Sequence, residues 1–374
     1  MTDVARPRTE QTYLRYRDDL ERPRVDEEQI IDRIIAVLRD NNERAYRRYK
    51  HGLRDAHAKS HGILRGELTV HSGLATELAQ GMFATPATYP VIARLSSTSG
   101  VIRSDQLRGV RGLGIKVLGV PGPRALPDDT ATTQDFIMVT HREFLFADAH
   151  EYLTKGMPTA WVLARLPDPL LQTGSTLLSA LDQRVLRRID RPLPANLSVF
   201  VRPNTHILGE TFYSSAPLRY GDHVAKMLYA PSSPEVAALA GLPVGPDKGI
   251  NAHRDAIVDF FAAHAAEYEL RVQLCTDPDV MPIEDATVPW PEEASPHRAV
   301  ATIRFEPQDP YTPERRAYGD DVLSFNSWRG LDLHRPLGSI NRLKKRVYEA
   351  SSNYRHEVNN APRIEPSGPA DLPR

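Results

Sequence analysis

The sequence predicts an α+β fold in which short β-strands form a sheet or barrel and helices fill the intervals. Between His61 and Thr140 apolar residues alternate with a period of two, and Gly and Pro separate the segments. Strand-like segments return from Leu197 onwards, and helical periodicity occurs near both ends of the chain. With 374 residues, 41% of them apolar, the chain can bury a large core, and we predict a single domain over residues 1–374.

The composition excludes several classes of function. Lys plus Arg number 47 and Asp plus Glu number 48, so the overall charge gives no reason to expect a nucleic-acid partner. No apolar run is long enough to cross a bilayer and the N-terminus lacks the apolar core of a secretory signal, so stable membrane insertion is not expected. The single cysteine, Cys275, can form neither an intramolecular disulfide nor a thiolate metal site. We therefore expect a cytoplasmic protein.

The N-terminal half begins with an arm and a helix and continues with strands. Residues 1–25 are polar and charged, which predicts an extended arm of the kind that often wraps a partner subunit. Residues 26–39 carry apolar side chains at helical spacing behind an acidic first turn, which predicts an amphipathic helix. Predicted strands then follow at 64–70, 89–96, 112–117 and 135–140.

The C-terminal half mixes strands and helices. Predicted helices lie at 152–166, 177–189 and 255–268, and predicted strands at 197–202, 207–213, 269–274 and 299–305. A final helix is predicted over 338–356 from apolar residues that recur every three or four positions. Residues 361–374 contain four prolines, and we predict a disordered tail there.

A histidine with cationic neighbours is the first candidate for chemistry. His57 lies in the segment Arg54-Asp-Ala-His-Ala-Lys59, immediately before a predicted strand. Such a histidine can transfer protons beside the edge of an anionic cofactor. Taken alone, a histidine of this kind is more often a surface or capping residue, so the prediction depends on two distant segments.

Those two segments lie in a strand and in the final helix. Arg94 and Ser96 belong to a strand-like run. Tyr348 lies at the margin of the apolar stripe of the final helix, with Lys344 or Lys345 one turn before it and Arg355 two turns after it. Such cations favour the phenolate, because a tyrosine with its usual pKa of about 10 needs nearby cations or a metal to ionise at neutral pH. Core packing with a solvated hydroxyl is the competing interpretation.

These segments resemble the haem catalase superfamily, and within it the small catalase-like peroxidases and the allene oxide synthases. Arg54-x-x-His57-Ala-Lys is similar to the family's Arg-x-x-His-Ala-Lys-Gly. Arg94-Leu-Ser96-Ser is similar to its Arg-Phe-Ser-Thr. The resemblance covers roughly residues 47–359, and its N-terminal motifs are specific in order and spacing.

Two further runs extend the resemblance. Residues 105–116 look like the family's Asp-x-x-Arg-Asp-x-Arg-Gly-Phe-Ala-x-Lys, and residues 135–144 look like its Asp-Leu-Val-x-Asn-Asn-x-Pro-x-Phe. In the second run the family's distal asparagine falls at Val139 or Thr140. Neither side chain can reproduce an amide donor. We keep Thr140 as a candidate catalytic residue, and Thr140 and His141 either face the pocket or simply end the strand.

The resemblance implies a closed antiparallel β-barrel wrapped by α-helices, with haem b between the barrel and the C-terminal helix. The family's ligand is a tyrosinate followed seven residues later by an arginine, which matches Tyr348 and Arg355. The family also has an arginine four residues before the ligand, where this chain has Lys344. Arg342 is the alternative for that cofactor-binding role.

On the other face of the haem the resemblance implies an acid–base site. His57 corresponds to the residue that takes a proton from the peroxide and returns it to the leaving oxygen. Ser96 corresponds to the serine that is hydrogen-bonded to this histidine. Arg54, Arg94 and Arg355 are expected to pair with the haem propionates.

The implied function is that of a haem-dependent peroxidase or weak catalase that reduces hydrogen peroxide or organic hydroperoxides with a small-molecule reductant. A second hypothesis within enzymes is a lipid hydroperoxide isomerase or lyase, which needs no reductant. A third hypothesis is a non-catalytic haem or lipid carrier on the same barrel. The chain is too short for the extra C-terminal domain of the largest family members, and we expect a homodimer.

Overall fold

An antiparallel β-barrel forms the centre of the structure, a computed structural model that describes residues 12–189, 191, 193 and 195–373. Eight strands close the barrel in the order β4-β3-β2-β1-β9-β8-β7-β5, because β5 pairs with both β4 and β7; a ninth described strand, β6, extends the β7 edge. The predicted α+β fold with a closed barrel is confirmed. The strands are β1 Lys59–Val70, β2 Thr88–Ser97, β3 Arg111–Leu118, β4 Thr133–Val139, β5 Phe212–Tyr213, β6 Leu218–Tyr220, β7 His223–Pro231, β8 Ala266–Leu274 and β9 Arg298–Phe305.

The barrel interior is filled by apolar side chains that alternate along the strands. Leu64 and Leu68 of β1 and Ile115 of β3 belong to one buried cluster with Leu270 of β8 and Ile303 of β9. Side chains on alternate positions of a strand point to the same side, so the period-two pattern places one set inside the barrel. The barrel is therefore a packed core, and functional cavities must lie beside it.

Helices cover the outside of the barrel, and the two longest pack against each other. Apolar residues of α1, such as Ile31 and Ile34, share a cluster with Ile340 and Leu343 of α9. None of the helices in the described ranges is both long and apolar enough to span a bilayer. The helices are α1 Glu27–Tyr49, α2 Ala149–Glu151, α3 Met157–Arg165, α4 Asp168–Arg184, α5 Ala195–Ser198, α6 Pro234–Ala237, α7 Ala252–Phe261, α8 Pro313–Ala317 and α9 Ser339–Val358.

Most of the predicted elements overlap those of the structure, although the predicted helix 177–189 begins earlier, at Asp168, and ends at Arg184. Residues 197–202, predicted as a strand, overlap the short helix α5 instead. Of the predicted strand 207–213 only β5 is extended, and a 3-10 turn, Ile207–Gly209, precedes it. The predicted helix 255–268 ends at Phe261, and its last residues already belong to β8. The strand β7 was not predicted, because it is buried over most of its length and shows no alternation.

The described part of the predicted N-terminal arm, residues 12–25, lies along its own chain. The backbone N–H of Leu14 donates to the carbonyl of Cys275 at 2.8 Å, and that of Tyr16 donates to the carbonyl of Asp222 at 2.8 Å. The segment is extended apart from one 3-10 turn, Asp18–Leu20. The first eleven residues of the predicted arm lie outside the described residues.

The C-terminal segment differs from the predicted disordered tail, because its described residues, 361–373, are packed on the barrel. Leu372 is buried with Ile63 and Ile92 on the barrel surface. Its carbonyl oxygen accepts a hydrogen bond from Arg65 at 2.6 Å, and the Pro373 carbonyl accepts one from Arg315 at 2.9 Å. Proline content alone did not reveal this apolar anchor.

Candidate functional site

His57 lies in the loop between α1 and β1, in a backbone conformation that non-glycine residues rarely adopt. Its φ angle is +54°. Such left-handed conformations cost on the order of 1–3 kcal/mol and persist where neighbours enforce them. Here Arg94 donates to the His57 carbonyl at 3.0 Å, and the next residue, Ala58, donates to the Ser99 carbonyl at 3.1 Å. The loop is thus held in a strained geometry that directs the imidazole.

The imidazole of His57 is oriented by β2 and β3. Its Nδ1 lies 3.3 Å from the Ser96 hydroxyl, and that hydroxyl donates to the Gly112 carbonyl at 3.3 Å. A Cβ atom at Gly112 would lie 2.4 Å from Nδ1, so only glycine leaves room for the ring. Because the Ser96 proton is directed to Gly112, the serine oxygen accepts from Nδ1–H and the lone pair remains on Nε2. The Nε2 atom lies 3.5 Å from the Thr98 hydroxyl, at the outer limit of a hydrogen bond.

The environment of His57 keeps the ring neutral. Burial, together with the nearby cations Arg94, Lys344, Arg111 and Arg54, lowers its pKa to about 3. A neutral imidazole can accept a proton at neutral pH. The same positive charges favour an anionic ligand in the adjoining space.

Two neighbouring cavities meet at His57. The larger has a volume of about 670 Å³ and the smaller about 100 Å³. Five residues line both of them: Asp55, Ala56, His57, Ile137 and Tyr348. Ligand-binding cavities usually measure roughly 300–1,000 Å³. The histidine from the start of the chain and the tyrosine from its last helix therefore border one continuous binding region.

Three arginines line the smaller cavity. Arg54 donates to the Leu323 carbonyl at 2.6 Å, and Arg355 donates to the same carbonyl at 3.2 Å. Arg94 forms an ion pair with Asp320 at 3.3 Å, but its Nε is buried without a hydrogen-bond partner among the described residues. Arg54 and Arg355 thus hold the segment around Leu323 in place. The Nε–H of Arg94 is a buried donor without an acceptor among the described residues. An anionic group could accept from it.

Tyr348 and Lys344 lie on the side of α9 that faces the larger cavity. The Tyr348 hydroxyl makes no hydrogen bond within the described residues, and burial raises its pKa, with Asp55 and Tyr152 contributing. The cations expected to favour its phenolate do not offset burial, so a metal is needed to ionise it near neutral pH. Lys344 forms no ion pair with the described residues, lies 5.1 Å from the Phe144 ring centroid, and has its pKa lowered to about 8 by burial.

Two of the predicted site residues are not brought into this region. Arg342 is bound by three carboxylates instead, at 2.6 Å from Glu21, 2.6 Å from Glu27 and 2.8 Å from Glu284. Thr140 does not line either cavity, and its hydroxyl accepts from the Arg111 backbone N–H at 3.1 Å. Arg342 therefore stabilises the fold through ion pairs, and Thr140 follows the last residue of β4.

Two further residues line the larger cavity: Thr98, to which the sequence assigned no role, and His141, which was expected either to face the pocket or to end the strand. Thr98 lies two positions after Ser96, and residues two apart on a strand face the same side, so this signal was available. His141 lines the larger cavity and is 3% exposed, and neither ring nitrogen has a hydrogen-bond partner in the described part of the chain. Burial and Arg202 lower its pKa to about 4. Both side chains offer neutral hydrogen-bonding groups to a ligand.

The far wall of the larger cavity is apolar. It is formed mainly by α3 and α4, and its residues include Val162, Leu163, Leu166, Leu170, Leu171 and Leu178. Among the described residues, no cluster of three or more His, Cys, Asp or Glu side chains could hold a metal ion. The region therefore combines a polar, cationic end at His57 with a long apolar end under the helices.

Comparison with known proteins supports the fold at low sequence identity. No family model and no curated protein matches the sequence. A fungal catalase has a TM-score of 0.57 at 14% identity over 98% of this chain and 74% of the catalase. A bacterial catalase has a TM-score of 0.54 at 13% identity over 98% of this chain and 66% of the catalase. Catalase A from Saccharomyces cerevisiae has a TM-score of 0.56 at 15% identity over 96% of this chain and 72% of the catalase. The likeness shows a catalase-like fold.

Proposed function

We propose that this protein is a haem-dependent peroxidase or weak catalase that reduces hydrogen peroxide or organic hydroperoxides with a small-molecule reductant. Tyr348 would be the metal ligand and His57 the acid–base residue. The observation that carries the proposal is that these two side chains line both cavities of one binding region. The catalase-like fold is consistent with a peroxide-related activity.

The residues of the binding region fit a haem b. The Tyr348 hydroxyl is unpaired among the described residues, and burial raises the pKa of this phenol. The positive charge of a bound metal would favour the phenolate and offset the effect of burial. The unsatisfied Nε of Arg94, with Arg54 and Arg355 beside it, fits a carboxylate such as a propionate. Lys344 would occupy the position of the family's second arginine near the ligand.

Each polar residue has a definable task in this function. When bound, haem supplies an iron whose oxidised states a tyrosinate stabilises. The lone pair on Nε2 of His57 accepts the peroxide proton and returns it to the departing oxygen, which leaves as water or an alcohol. Ser96 holds the tautomer that makes this lone pair available. Thr98 would orient the peroxide or the ring, since its hydroxyl lies 3.5 Å from Nε2 of His57.

A lipid hydroperoxide isomerase or lyase is the second candidate function. The apolar wall formed by α3 and α4 favours it, because hydrogen peroxide does not need about 670 Å³ of largely apolar space. A long hydrocarbon chain would fill this end while its hydroperoxide group lay at His57. Such an enzyme would turn over its substrate without a reductant.

A hemin titration of the full-length protein tests the proposal. We expect the wild type to bind hemin and to give a high-spin ferric tyrosinate spectrum that Tyr348→Phe abolishes. Tyr354→Phe is the matched control, since this tyrosine lies on the same helix but lines neither cavity. An unchanged spectrum for Tyr348→Phe would move the ligand elsewhere, and a protein that takes up no hemin would overturn the proposal.

Peroxide turnover by the loaded protein separates the candidate functions. His57→Ala should retain hemin but react with peroxide roughly 10²–10⁴-fold more slowly, the usual range for a lost acid–base residue. His264→Ala, at an exposed position outside both cavities, is the control. Donor-dependent turnover of hydrogen peroxide supports the peroxidase. Donor-independent conversion of lipid hydroperoxides supports the isomerase or lyase, and hemin binding without turnover identifies a carrier.

We further propose that the protein is a cytoplasmic homodimer. The location rests on the single cysteine of the sequence, and the dimer is an expectation that awaits measurement. Light scattering of the purified full-length chain measures its mass directly. A monomer at micromolar concentration would contradict the dimer.

A further inference from the structure

Several large apolar side chains stand exposed on the helices that roof the larger cavity. We call them the outer apolar face. Leu170 is 60% exposed and Leu177 is 67% exposed, values unusual for leucine in a surface helix. The face consists of Trp161, Val162, Leu166, Leu170, Leu177, Leu181, Val185 and Ile189.

The helix α4 is apolar on two sides. Leu170, Leu177 and Leu181 are spaced by seven and four residues, which places them on one side of the helix. Leu171 and Leu178 lie on the side that lines the cavity. A surface helix of a globular protein normally exposes polar residues opposite its buried stripe. The second apolar side of α4 therefore needs an apolar environment.

The outer apolar face and the cavity wall share three residues. Val162, Leu166 and Leu170 are exposed and also line the cavity wall. An apolar molecule held against the outer face could pass between these side chains into the cavity without crossing water. Whatever covers the outer apolar face also controls entry to the binding region.

The charges around the face are basic. Arg184, Arg188 and Arg191 are exposed and form no ion pair within the described residues. The acidic residues of α4 are not available, because Asp168 is paired with Arg103 at 2.6 Å and Asp182 is buried. Arginines that have no ion pair among the described residues, beside an apolar surface, are complementary to an anionic amphiphilic layer.

Trp161 and Arg165 form an amphipathic pair at one end of the face. The Arg165 guanidinium lies 4.1 Å from the Trp161 ring centroid, and Trp161 is half exposed. Tryptophan and arginine favour the boundary between hydrocarbon and polar headgroups, since each has an apolar body and a polar end. The pair therefore places side chains suited to the hydrocarbon–headgroup boundary at one end of the outer apolar face.

We propose that the outer apolar face docks peripherally on the surface of an anionic lipid bilayer, so that the cavity mouth faces the lipid. A second copy of this chain is a poorer occupant. A two-fold contact would set this basic, apolar face against itself and would close the cavity mouth. The proposal does not depend on haem, because it concerns residues that contact neither Tyr348 nor His57.

Co-sedimentation of the purified full-length protein with lipid vesicles tests the docking. We compare vesicles of phosphatidylcholine with vesicles that also contain phosphatidylglycerol, for haem-free and hemin-loaded protein. The wild type should bind the anionic vesicles and bind the neutral ones more weakly. The double variant Leu177→Gln/Leu181→Gln should reduce the partition coefficient by about tenfold or more, because it removes two side chains from the contact.

Leu242→Gln is the matched control, because Leu242 is exposed to a similar degree as Leu181 but lies outside the face. It should bind vesicles as the wild type does, and circular dichroism should show that all variants are folded. No co-sedimentation of the wild type overturns the proposal, and so does equal loss of binding in Leu242→Gln. A dimer that dissociates in the double variant, without vesicle binding, would assign the face to a second copy instead.

Discussion

The hydroxyl of Ser96 lies 3.3 Å from Nδ1 of His57 and directs its own proton to the Gly112 carbonyl. This short relay selects one tautomer of the imidazole, in which Nε2 carries the lone pair. Ser96 is thus a positioning residue that acts through His57.

Replacement of this serine tests that role. Ser96→Ala should leave hemin binding unchanged and lower the rate of peroxide reduction by roughly 10–100-fold, the usual effect of losing a partner that orients a site residue. Ser96→Thr, which keeps the hydroxyl, should restore most of the rate. Stopped-flow measurement across pH gives the readout. Equal rates for Ser96→Ala and the wild type would contradict the role of Ser96.

The apolar cavity should discriminate substrates by size. A side chain at Gly174, which lines the cavity, would meet no atom within 4 Å of its Cβ. Gly174→Phe should therefore fold, and should slow turnover of a long-chain lipid hydroperoxide at least about tenfold while sparing hydrogen peroxide. Thr173→Phe, the next residue of α4 and not part of the cavity wall, is the control. Equal loss of both substrates in Gly174→Phe would contradict a substrate role for the apolar end.

The C-terminal segment should contribute to stability through Glu365. Its carboxylate forms ion pairs with Lys116 and, at 2.6 Å, with Arg329. Lys116 also lies 2.6 Å from the buried Asp135, so that Glu365 completes a cluster of two cations and two carboxylates. Glu365→Ala leaves two cations with one carboxylate, and should lower the free energy of unfolding by about 1–3 kcal/mol. Glu293→Ala, at an exposed residue without an ion pair in the described ranges, should change it by less than about 0.5 kcal/mol. Urea unfolding distinguishes the two.

Stability should decrease in acid partly through His334. This ring accepts a hydrogen bond from the Met82 N–H at 3.1 Å, and burial lowers its pKa from 6.5 to about 3. The unfolded chain therefore binds a proton that the folded chain does not, and the free energy of unfolding falls as pH decreases from 6.5 towards about 3.

The variant His334→Gln isolates this contribution. Its destabilisation relative to the wild type should be largest at neutral pH and should shrink by about 2 kcal/mol when the pH is lowered to about 5, since each unit is worth about 1.4 kcal/mol. Urea unfolding of both proteins at the two pH values measures the difference. A constant destabilisation across this range would contradict the neutral, buried ring.

Much of the barrel was predictable because its strands have one buried face. The first four predicted strands match β1 to β4, since period-two alternation records which side of a strand is buried. The strand β7 was missed because Val224, Met227 and Tyr229 are buried with their neighbours and leave no alternation. Burial on both faces removes the signal that sequence reasoning uses.

The candidate site was predictable where a motif specifies spacing, and unpredictable where tertiary partners decide. His57, Ser96 and Tyr348 were predicted from spaced motifs, and the structure places all three along the same binding region. Arg342 was offered as the alternative to Lys344 for the arginine that the family places before its ligand. In the structure its guanidinium pairs with carboxylates that include Glu21 and Glu284. These residues are remote in sequence, so local sequence could not predict the ion pairs.

The chain order of the barrel determines when the protein can mature in a cell. The first strand, β1, pairs with the last one, β9, and the helix that carries Tyr348 follows later still. A nascent chain leaving the ribosome can therefore neither seal its barrel before β9 has emerged nor present the tyrosine before α9 has emerged. Any prosthetic group held by this tyrosine must be acquired after α9 has been made, and a chain truncated before α9 would have no anchor for it.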